Sequence, residues 1–402
     1  MRIALNFRRI DPTRGGAETY VVDLCQRLAR AGHEVVVYAE SCRDGVLPEG
    51  VDLVRVAAPG WTRWQKTWNF AVNSEQALKR AGSAHDCTVG FINTWHHDVI
   101  IPQGGVHAAS LDHNARRFPA GPRRAAYVLG KRANPKAWIY RAIEARQYDP
   151  ARAARVVAVS EMVRGHLGKY HGVPVERTHV IPNAIDAGRL AVADPASTRC
   201  DFRAGLGLAP DDLVALFVGH NYGLKGLKPL LEAMHRRLLR DPAARPLRLL
   251  ACGGGKPGPF RGIVRDLGLA GHVHLLGFQP DIRPCFHAAD FFALPTYYDP
   301  CSLVVFEALA CRLPVITTAC NGAGELIVDG REGFVVPTPD SRDQLADALD
   351  RMADDGARRA MAGHAERLGR EQSFDRHVAR LVEVFERVAA SRAAGAPART
   401  AA

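Results

Sequence analysis

No stretch of the chain approaches the roughly 18 consecutive apolar residues that a helix needs to cross a bilayer. Arg8 and Arg9 interrupt the N-terminus before any run long enough for a secretory leader. The expectation is a cytoplasmic protein. Cysteine is present but scattered singly, at Cys25, Cys42, Cys87, Cys200, Cys252, Cys285, Cys301, Cys311 and Cys320. The number is odd and no Cys-x-x-Cys occurs, which argues against a zinc or disulfide framework and for buried thiols. Neither half opens with the Gly-x-Gly-x-x-Gly turn that a dinucleotide requires after a first strand. Gly15-Gly16 has the wrong spacing, and Gly219 is followed by His220-Asn221. Nucleic-acid recognition modules and interleaved aromatic stripes are missing too, so nucleic acid is not the expected partner.

What is abundant is positive charge, and it is concentrated. Lys and Arg number 53 against 42 Asp and Glu, a net +11. Between Arg116 and Arg146 nine basic residues accompany one acid, Glu144, so this segment supplies +8 of the total. Arg116, Arg117, Arg123, Arg124, Lys131, Arg132, Lys136, Arg141 and Arg146 are interspersed with Phe118, Tyr127, Leu129, Trp138 and Tyr140. Cations mixed with aromatic and aliphatic side chains suit a surface resting on anionic lipid. The competing reading is a solvated helical insert packed on the N-terminal domain.

At 402 residues the chain suits two domains of similar size. Short apolar runs alternate with helical patterns throughout, which predicts parallel sheets covered on both faces. In the first half, strands are expected at Arg2–Asn6, Glu34–Tyr38, Leu53–Val56, Thr88–Asn93, Val156–Ser160 and His179–Ile181. In the second half they are expected at Leu213–Gly219, Leu247–Cys252, Val273–Leu276, Phe291–Pro295, Val315–Thr318 and Gly333–Val336. The fold class is α/β, with two doubly wound Rossmann-like domains facing a ligand crevice at the strand carboxyl ends. The domains are placed at residues 1–183, with the basic insert at about 116–146, and at 184–373. A last helix follows at 374–388, and an Ala/Arg/Pro/Gly-rich tail at 389–402 is expected to be disordered.

The most informative stretch is Tyr297-Tyr298-Asp299-Pro300-Cys301-Ser302-Leu303-Val304-Val305-Phe306-Glu307. From Ser302 to about Cys311 it predicts a helix whose unpaired N–H groups and positive dipole end favour phosphate. Glu307 lies inside an otherwise apolar segment, where an acid needs a partner. A carboxylate there accepts from a ribose diol, and Asp299 accepts from sugar hydroxyls. Alternatively, Asp299 is a turn residue and Glu307 a solvated helix residue. Lys225-Gly226 lies in the glycine-containing turn that starts at Gly219, and Gly15-Gly16 lies in a corresponding turn of the first half. Glycines there let backbone N–H groups approach a phosphate. Trp95-His96-His97-Asp98 and Gln103-Gly104-Gly105-Val106-His107 follow the fourth expected strand. Adjacent histidines on a strand converge poorly on one ion, so no metal site is expected.

These segments resemble family 4 of the retaining glycosyltransferases, which have the GT-B fold, over roughly residues 1–385. The hallmark is two acids eight positions apart around the 302–311 helix; here they are Asp299 and Glu307, where the family usually has Glu twice. Within the family the look is closest to lipopolysaccharide-core sugar transferases. The resemblance implies transfer of a hexose-type sugar from a nucleoside diphosphate to a glycan or glycolipid acceptor, in lipopolysaccharide or cell-envelope glycan synthesis. It assigns catalytic roles to His107, Lys225 and Asp299. Donor binding falls to Gly15, Gly16, Gly219, Lys225, Ser302, Leu303 and Glu307. The absence of Asp-x-Asp argues against the metal-diphosphate site of the other major glycosyltransferase fold. No cofactor or metal is expected beyond the donor substrate, and the enzyme is placed in the cytoplasm, peripheral on the inner face of the membrane. The alternative is a non-catalytic nucleotide-sugar-binding paralogue.

Overall fold

A computed structural model describes residues 1–394, apart from Pro150, Arg152, Ala153 and Lys256. The described residues form two compact units, Met1–Pro182 together with the chain from Phe374 onward, and Asn183–Ser373.

The first unit runs β1 (Arg2–Asn6), β2 (Arg9–Ile10), α1 (Gly16–Arg30), β3 (Glu34–Ala39), β4 (Ser41–Cys42), β5 (Val51–Arg55), α2 (Arg63–Ala81), β6 (Cys87–Gly90) and β7 (Val99–Ile100). It continues with α3 (His107–Ala115), α4 (Pro122–Ala133), α5 (Pro135–Gln147), β8 (Arg155–Ala158), α6 (Glu161–His171) and β9 (Thr178–Val180). Its sheet has the order β5-β3-β1-β6-β7-β8-β9, with parallel pairing throughout. Ile3, Leu5, Val35, Val37 and Val89 are buried, as strands covered on both faces require. β6 stops short of the expected Asn93. Asn93 turns the chain with φ 65°, and Thr94 and His97 fold back over Gly90, where a Cβ would lie 2.6 Å from the Thr94 hydroxyl. The two-residue β7 that follows is too short to show a pattern in sequence.

The second unit runs α7 (Pro195–Gly205), β10 (Leu213–Val218), α8 (Leu227–Arg240), β11 (Leu247–Cys252), α9 (Gly258–Asp266), β12 (Val273–Gly277), α10 (Arg283–Ala288) and β13 (Phe291–Leu294). After these come α11 (Leu303–Ala310), β14 (Val315–Thr318), β15 (Gly333–Val336), α12 (Arg342–Ala353) and α13 (Asp355–Glu371). Its parallel sheet has the order β12-β11-β10-β13-β14-β15. The order reverses direction between β10 and β13, and turns at the carboxyl ends of such strands are where α/β sheets bind ligands.

The chain then returns α14 (Phe374–Ala393) to the first unit. The His377 Nδ1–H donates to the Pro182 carbonyl at 2.8 Å, which leaves Nε2 to accept from the Tyr20 hydroxyl of α1 at 2.6 Å. Burial lowers this imidazole to about 4, so it is held neutral. At the far end, Arg392 donates to the carbonyls of His85 and Asp86 and to Asp98 at 3.0 Å. These anchors explain why the segment from Ala389, expected to be disordered, is helical as far as Ala393; the tail from Gly395 lies outside the described residues.

None of the nine cysteines is in a disulfide. Cys252 and Cys285 do meet, with their sulfurs 3.6 Å apart in the second core. No described helix is long and apolar enough to cross a membrane.

The basic segment divides in two. α5 is the inner helix: Ala137, Ile143, Glu144 and Gln147 are buried, and Arg146 stacks over Trp95 at 4.2 Å while pairing with Glu75 at 2.8 Å. α4 is the outer helix and buries no residue at all. Leu129 is 69 % exposed on it, and Trp138 of α5 is 60 % exposed.

Candidate active site

In the second unit, three turns at the sheet's carboxyl edge are laced together by backbone bonds. The turn after β10 opens at Gly219, whose N–H donates to the Cys252 carbonyl at 3.0 Å. A Cβ on Gly219 would lie 2.8 Å from the Lys225 side chain, so glycine here makes room for the lysine to fold inward. Gly226 begins α8 with φ +83°, and a Cβ there would sit 1.8 Å from the Pro295 carbonyl; only glycine fits. The Leu224 carbonyl accepts from the Tyr297 N–H at 2.9 Å and from the Thr296 hydroxyl at 3.1 Å, joining this turn to the one after β13. That second turn is joined in its turn to the one after β14: Asp299 N–H donates to Cys320 O at 3.0 Å, and Gly322 N–H to Asp299 O at 2.9 Å.

This lacing brings Lys225 and Asp299, 74 positions apart, into a direct ion pair. The side chains are 23 % and 10 % exposed, so the pair is largely shielded from water. Sequence reasoning places both residues at the donor site, with Asp299 facing sugar hydroxyls; in the structure Lys225 and Asp299 are each other's partner.

α11 opens beside them. Ser302 is its N-cap, makes no side-chain capping bond, and is followed by no acid in the first turn. The helix's positive end is thus uncompensated. The Ser302 N–H is engaged, donating at 3.3 Å to the Asn321 side chain, whose oxygen also accepts from Ala323 N–H at 3.2 Å. Glu307 lies about one turn into the helix, half-buried, and its carboxylate has no hydrogen-bond or ion-pair partner among the described residues. Burial alone pushes it up to about 7. A buried acid without a partner costs stability unless something it binds offsets that cost.

Sequence reasoning missed Gly253-Gly254-Gly255, the turn after β11. A Cβ on Gly253 would fall 2.2 Å from the Gly219 carbonyl, and one on Gly255 would fall 2.6 Å from the Tyr222 ring. A run of three glycines after a strand was the available signal.

Gly15, Gly16 and His107 belong to the first unit. Gly15 caps α1 without a side-chain bond, and Gly16 is the first helical residue. His107 is the first residue of α3, where the Glu144 carboxylate reaches across from α5 to cap the helix. It accepts from His107 N–H at 2.6 Å and Ala108 N–H at 3.3 Å, and His171 Nε2 lies 3.3 Å away. The lone acid of the basic segment is therefore a helix cap. Burial, outweighing the attraction of Glu144, lowers the His107 pKa, and the ring lies against Tyr140 at 5.7 Å. Its Nε2 is buried with no partner among the described residues. His107, Asn93, Gly104 and Gly105 line a cavity of about 330 Å³. Asp98 is structural: it accepts from Thr88 and from Arg392. No cluster of three His, Cys, Asp or Glu side chains placed to hold a metal ion occurs among the described residues.

Comparison with known proteins fits both units. Residues 14–189 match the model described as Glycosyltransferase Family 4, and residues 212–355 match Glycosyl transferases group 1. A D-inositol 3-phosphate glycosyltransferase of Geodermatophilus obscurus is 30 % identical over 416 residues, covering 94 % of this chain and 86 % of that protein. Lipopolysaccharide glucosyltransferase WaaG of Escherichia coli is 24 % identical over 335 residues, 83 % of this chain and 85 % of that one. A crystal structure of WaaG superposes with a TM-score of 0.77 at 22 % identity, covering 95 % of this chain and 99 % of that one. Anabaena HepE, solved in complex with UDP-glucose, gives a TM-score of 0.63 at 19 % identity, with 98 % and 100 % covered. The chain therefore belongs to family 4 of the glycosyltransferases and has their GT-B fold of two Rossmann-like domains.

Proposed function

We propose that the protein is a retaining, metal-independent glycosyltransferase that moves a hexose-type sugar from a nucleoside diphosphate to a glycan or glycolipid acceptor. The observation that carries this is the second unit's turn cluster: a shielded Lys225–Asp299 pair beside the uncapped end of α11, with partnerless Glu307 a turn further in. Those three features match the three parts of a nucleotide sugar. Glu307 accepts from the ribose diol. Lys225 and the first α11 amides, Leu303 foremost, stabilise the charge that builds on the leaving diphosphate. Asp299 passes from Lys225 to the sugar hydroxyls as the donor enters. The anion's charge is met by a lysine and a helix end, so the mechanism needs no metal. The departing phosphate takes the acceptor's proton and attack comes on the same face, which retains the anomeric configuration.

UDP is the nucleotide in the HepE complex, which makes UDP-glucose the first donor to try. The likeness to WaaG supports an acceptor from lipopolysaccharide or another envelope glycan, met at the cytoplasmic face of the membrane. Support for a peripheral membrane contact comes from α4, which buries nothing and carries Arg123, Arg124, Lys131 and Arg132 beside exposed Leu129. The function is tested by incubating the protein with nucleoside diphosphate hexoses and a bacterial core-glycan acceptor, then reading the product's anomeric configuration by NMR. Retention, with turnover in Lys225→Ala falling more than donor affinity, is the expected result. An inverted product overturns the retaining mechanism, and no transfer with any donor overturns the enzyme reading.

A further inference from the structure

The transfer chemistry makes no use of two thiols that touch in the core of the second unit. Cys252 is the last residue of β11 and Cys285 lies in α10. Both are fully buried, and the Cys252 S–H donates to the Cys285 sulfur at 3.6 Å. A disulfide holds its sulfurs about 2.05 Å apart, so joining these two requires a closure of about 1.5 Å. In a close-packed interior one of the two elements must yield.

α10 is held in place. Arg199 donates to the carbonyls of His287, Ala288 and Ala289 at 3.2, 3.1 and 2.8 Å, and buried Arg203 donates to Ala288 O at 2.9 Å. Both guanidinium groups also pair with Asp290. The end of β11 is softer. Its register against β12 shifts between Ala251 and Cys252, and Gly253 follows at φ +123° in a run of three glycines. Closure therefore draws Cys252 toward α10.

Cys252 does not move alone. Its carbonyl accepts from Gly219 N–H at 3.0 Å, and the Tyr222 hydroxyl donates to the Gly253 carbonyl at 3.2 Å. A Cβ on Gly253 would fall 2.2 Å from the Gly219 carbonyl, so the two turns have no slack between them. Gly219 and Tyr222 belong to the turn that folds Lys225 toward Asp299. A displaced β11 end carries that turn with it.

We infer that Cys252 and Cys285 form a reversible disulfide under hydrogen peroxide, which deforms the Gly219–Lys225 turn and weakens donor binding. The effect on the donor rests on the transferase reading above; the disulfide and the deformation do not. Peroxide, little larger than water, enters through local opening of the β11 end. The hydrogen bond from Cys252 favours the thiolate of Cys285 against the opposing effect of burial, which makes Cys285 the attacking group. Its sulfur bonds to one peroxide oxygen, the O–O bond breaks, and the departing hydroxide takes the thiol proton as water. The Cys252 sulfur then attacks the resulting sulfenic acid, the S–O bond breaks, and the hydroxyl leaves with the Cys252 proton as a second water. Two thiols are oxidised to one disulfide, and one peroxide is reduced to two waters.

The test uses the full chain with exposed Cys200 changed to Ser, to suppress cross-linking between molecules. It is reduced, treated with hydrogen peroxide, mapped by alkylation and mass spectrometry, and titrated with UDP before and after. The expected result is a Cys252–Cys285 cross-link, UDP binding about tenfold weaker, and recovery of both with dithiothreitol. Cys285→Ala should bind UDP as the reduced parent does and lose nothing on peroxide treatment. The parent's own cross-link and its reversal decide the matter even where that variant fails to fold. The inference is overturned if no such cross-link forms, if UDP binds equally to both forms, or if folded Cys285→Ala loses affinity as the parent does. Hydrogen exchange of the Gly219–Lys225 amides is read in parallel. A reduced chain that binds no UDP sinks the donor site, and exchange that is the same in both forms still overturns the deformation.

Discussion

Replacing Asp299 by Asn separates two jobs that one carboxylate cannot do at once. In the structure Asp299 neutralises Lys225, and in the proposed donor complex it faces the sugar while Lys225 faces the diphosphate. The donor must therefore break the pair before it can use either residue. Fully buried pairs cost about 3–5 kcal/mol to break by removing one partner, whereas exposed pairs contribute about 0–1 kcal/mol. Lys225 is 23 % exposed, so water reaches the orphaned ammonium, and Asp299→Asn should lose about 2 kcal/mol in urea unfolding. The neutral Asn no longer competes for Lys225, so UDP should bind up to about tenfold tighter to the variant than to the parent. Transfer should move the other way. Charge-assisted hydrogen bonds to the sugar contribute about 1.5–3 kcal/mol, which translates into a loss of roughly 10- to 100-fold in kcat/KM. Calorimetric titration with UDP and a transfer assay read the two arms. If UDP binding weakens along with transfer, the carboxylate orients Lys225 toward phosphate instead of competing with it, and the exchange of partners is refuted.

That pairing marks the limit of what sequence could say. The expected strands Leu213–Gly219, Leu247–Cys252 and Val315–Thr318 coincide with the observed ones to within a residue, because strands buried on both faces leave a nearly continuous apolar record of their burial. The eight-residue interval between Asp299 and Glu307 was equally legible, since one turn and one helix carry it. What joins Asp299 to Lys225 is the Leu224 carbonyl meeting Tyr297 and Thr296, a contact between turns 72 positions apart that leaves no local pattern. Glu144 shows the same gap. It stood out as the lone acid among nine cations, yet its role as the cap of α3 depends on an amide 37 positions away. The basic segment, read as one insert, carried signals of a division that went unused. Gly121-Pro122 and Asn134-Pro135 are helix-start signals, and the structure begins α4 and α5 there. Which of the two helices packs inward followed from Ile143 and Trp95 meeting in space, which periodicity alone does not reveal.

Three further outcomes follow from the same geometry. Glu144→Ala leaves two amide donors at the start of α3 without their carboxylate acceptor and should lower stability by about 2–3 kcal/mol; Glu144→Gln, which keeps one carbonyl, should recover about half of this. Equal urea midpoints for parent and Glu144→Ala would remove the cap. Glu307 binds its proton more tightly folded than unfolded, so its own contribution to stability should fall as pH rises from about 4.5 to about 7 and level off above, opposing the contribution of His377, which grows as pH rises from about 4. Glu307→Gln should gain on the parent across this window and be more stable by about 3 kcal/mol at pH 8, and a difference between the two that stays constant from about pH 4.5 to about pH 7 contradicts the half-buried, partnerless carboxyl. The outer helix offers the last test. α4 buries no residue and presents four cations with Leu129, so it is free to meet a lipid surface, whereas α5 is committed to Trp95 and Glu75. Each basic residue near an anionic surface contributes on the order of 1 kcal/mol, and a Debye length of about 10 Å at 0.1 M salt makes that contribution sensitive to ionic strength. The protein should co-sediment with phosphatidylserine-containing vesicles at low salt and release at 0.5 M, roughly five times the reference concentration. Changing Arg123, Arg124, Lys131 and Arg132 to Ser should abolish binding with a stability loss of no more than about 1 kcal/mol, from the Arg124 bond to the Phe118 carbonyl, because none of the four is buried. Equal recovery in the supernatant with anionic and neutral vesicles at every salt concentration would end the membrane assignment and leave α4 a solvated helix.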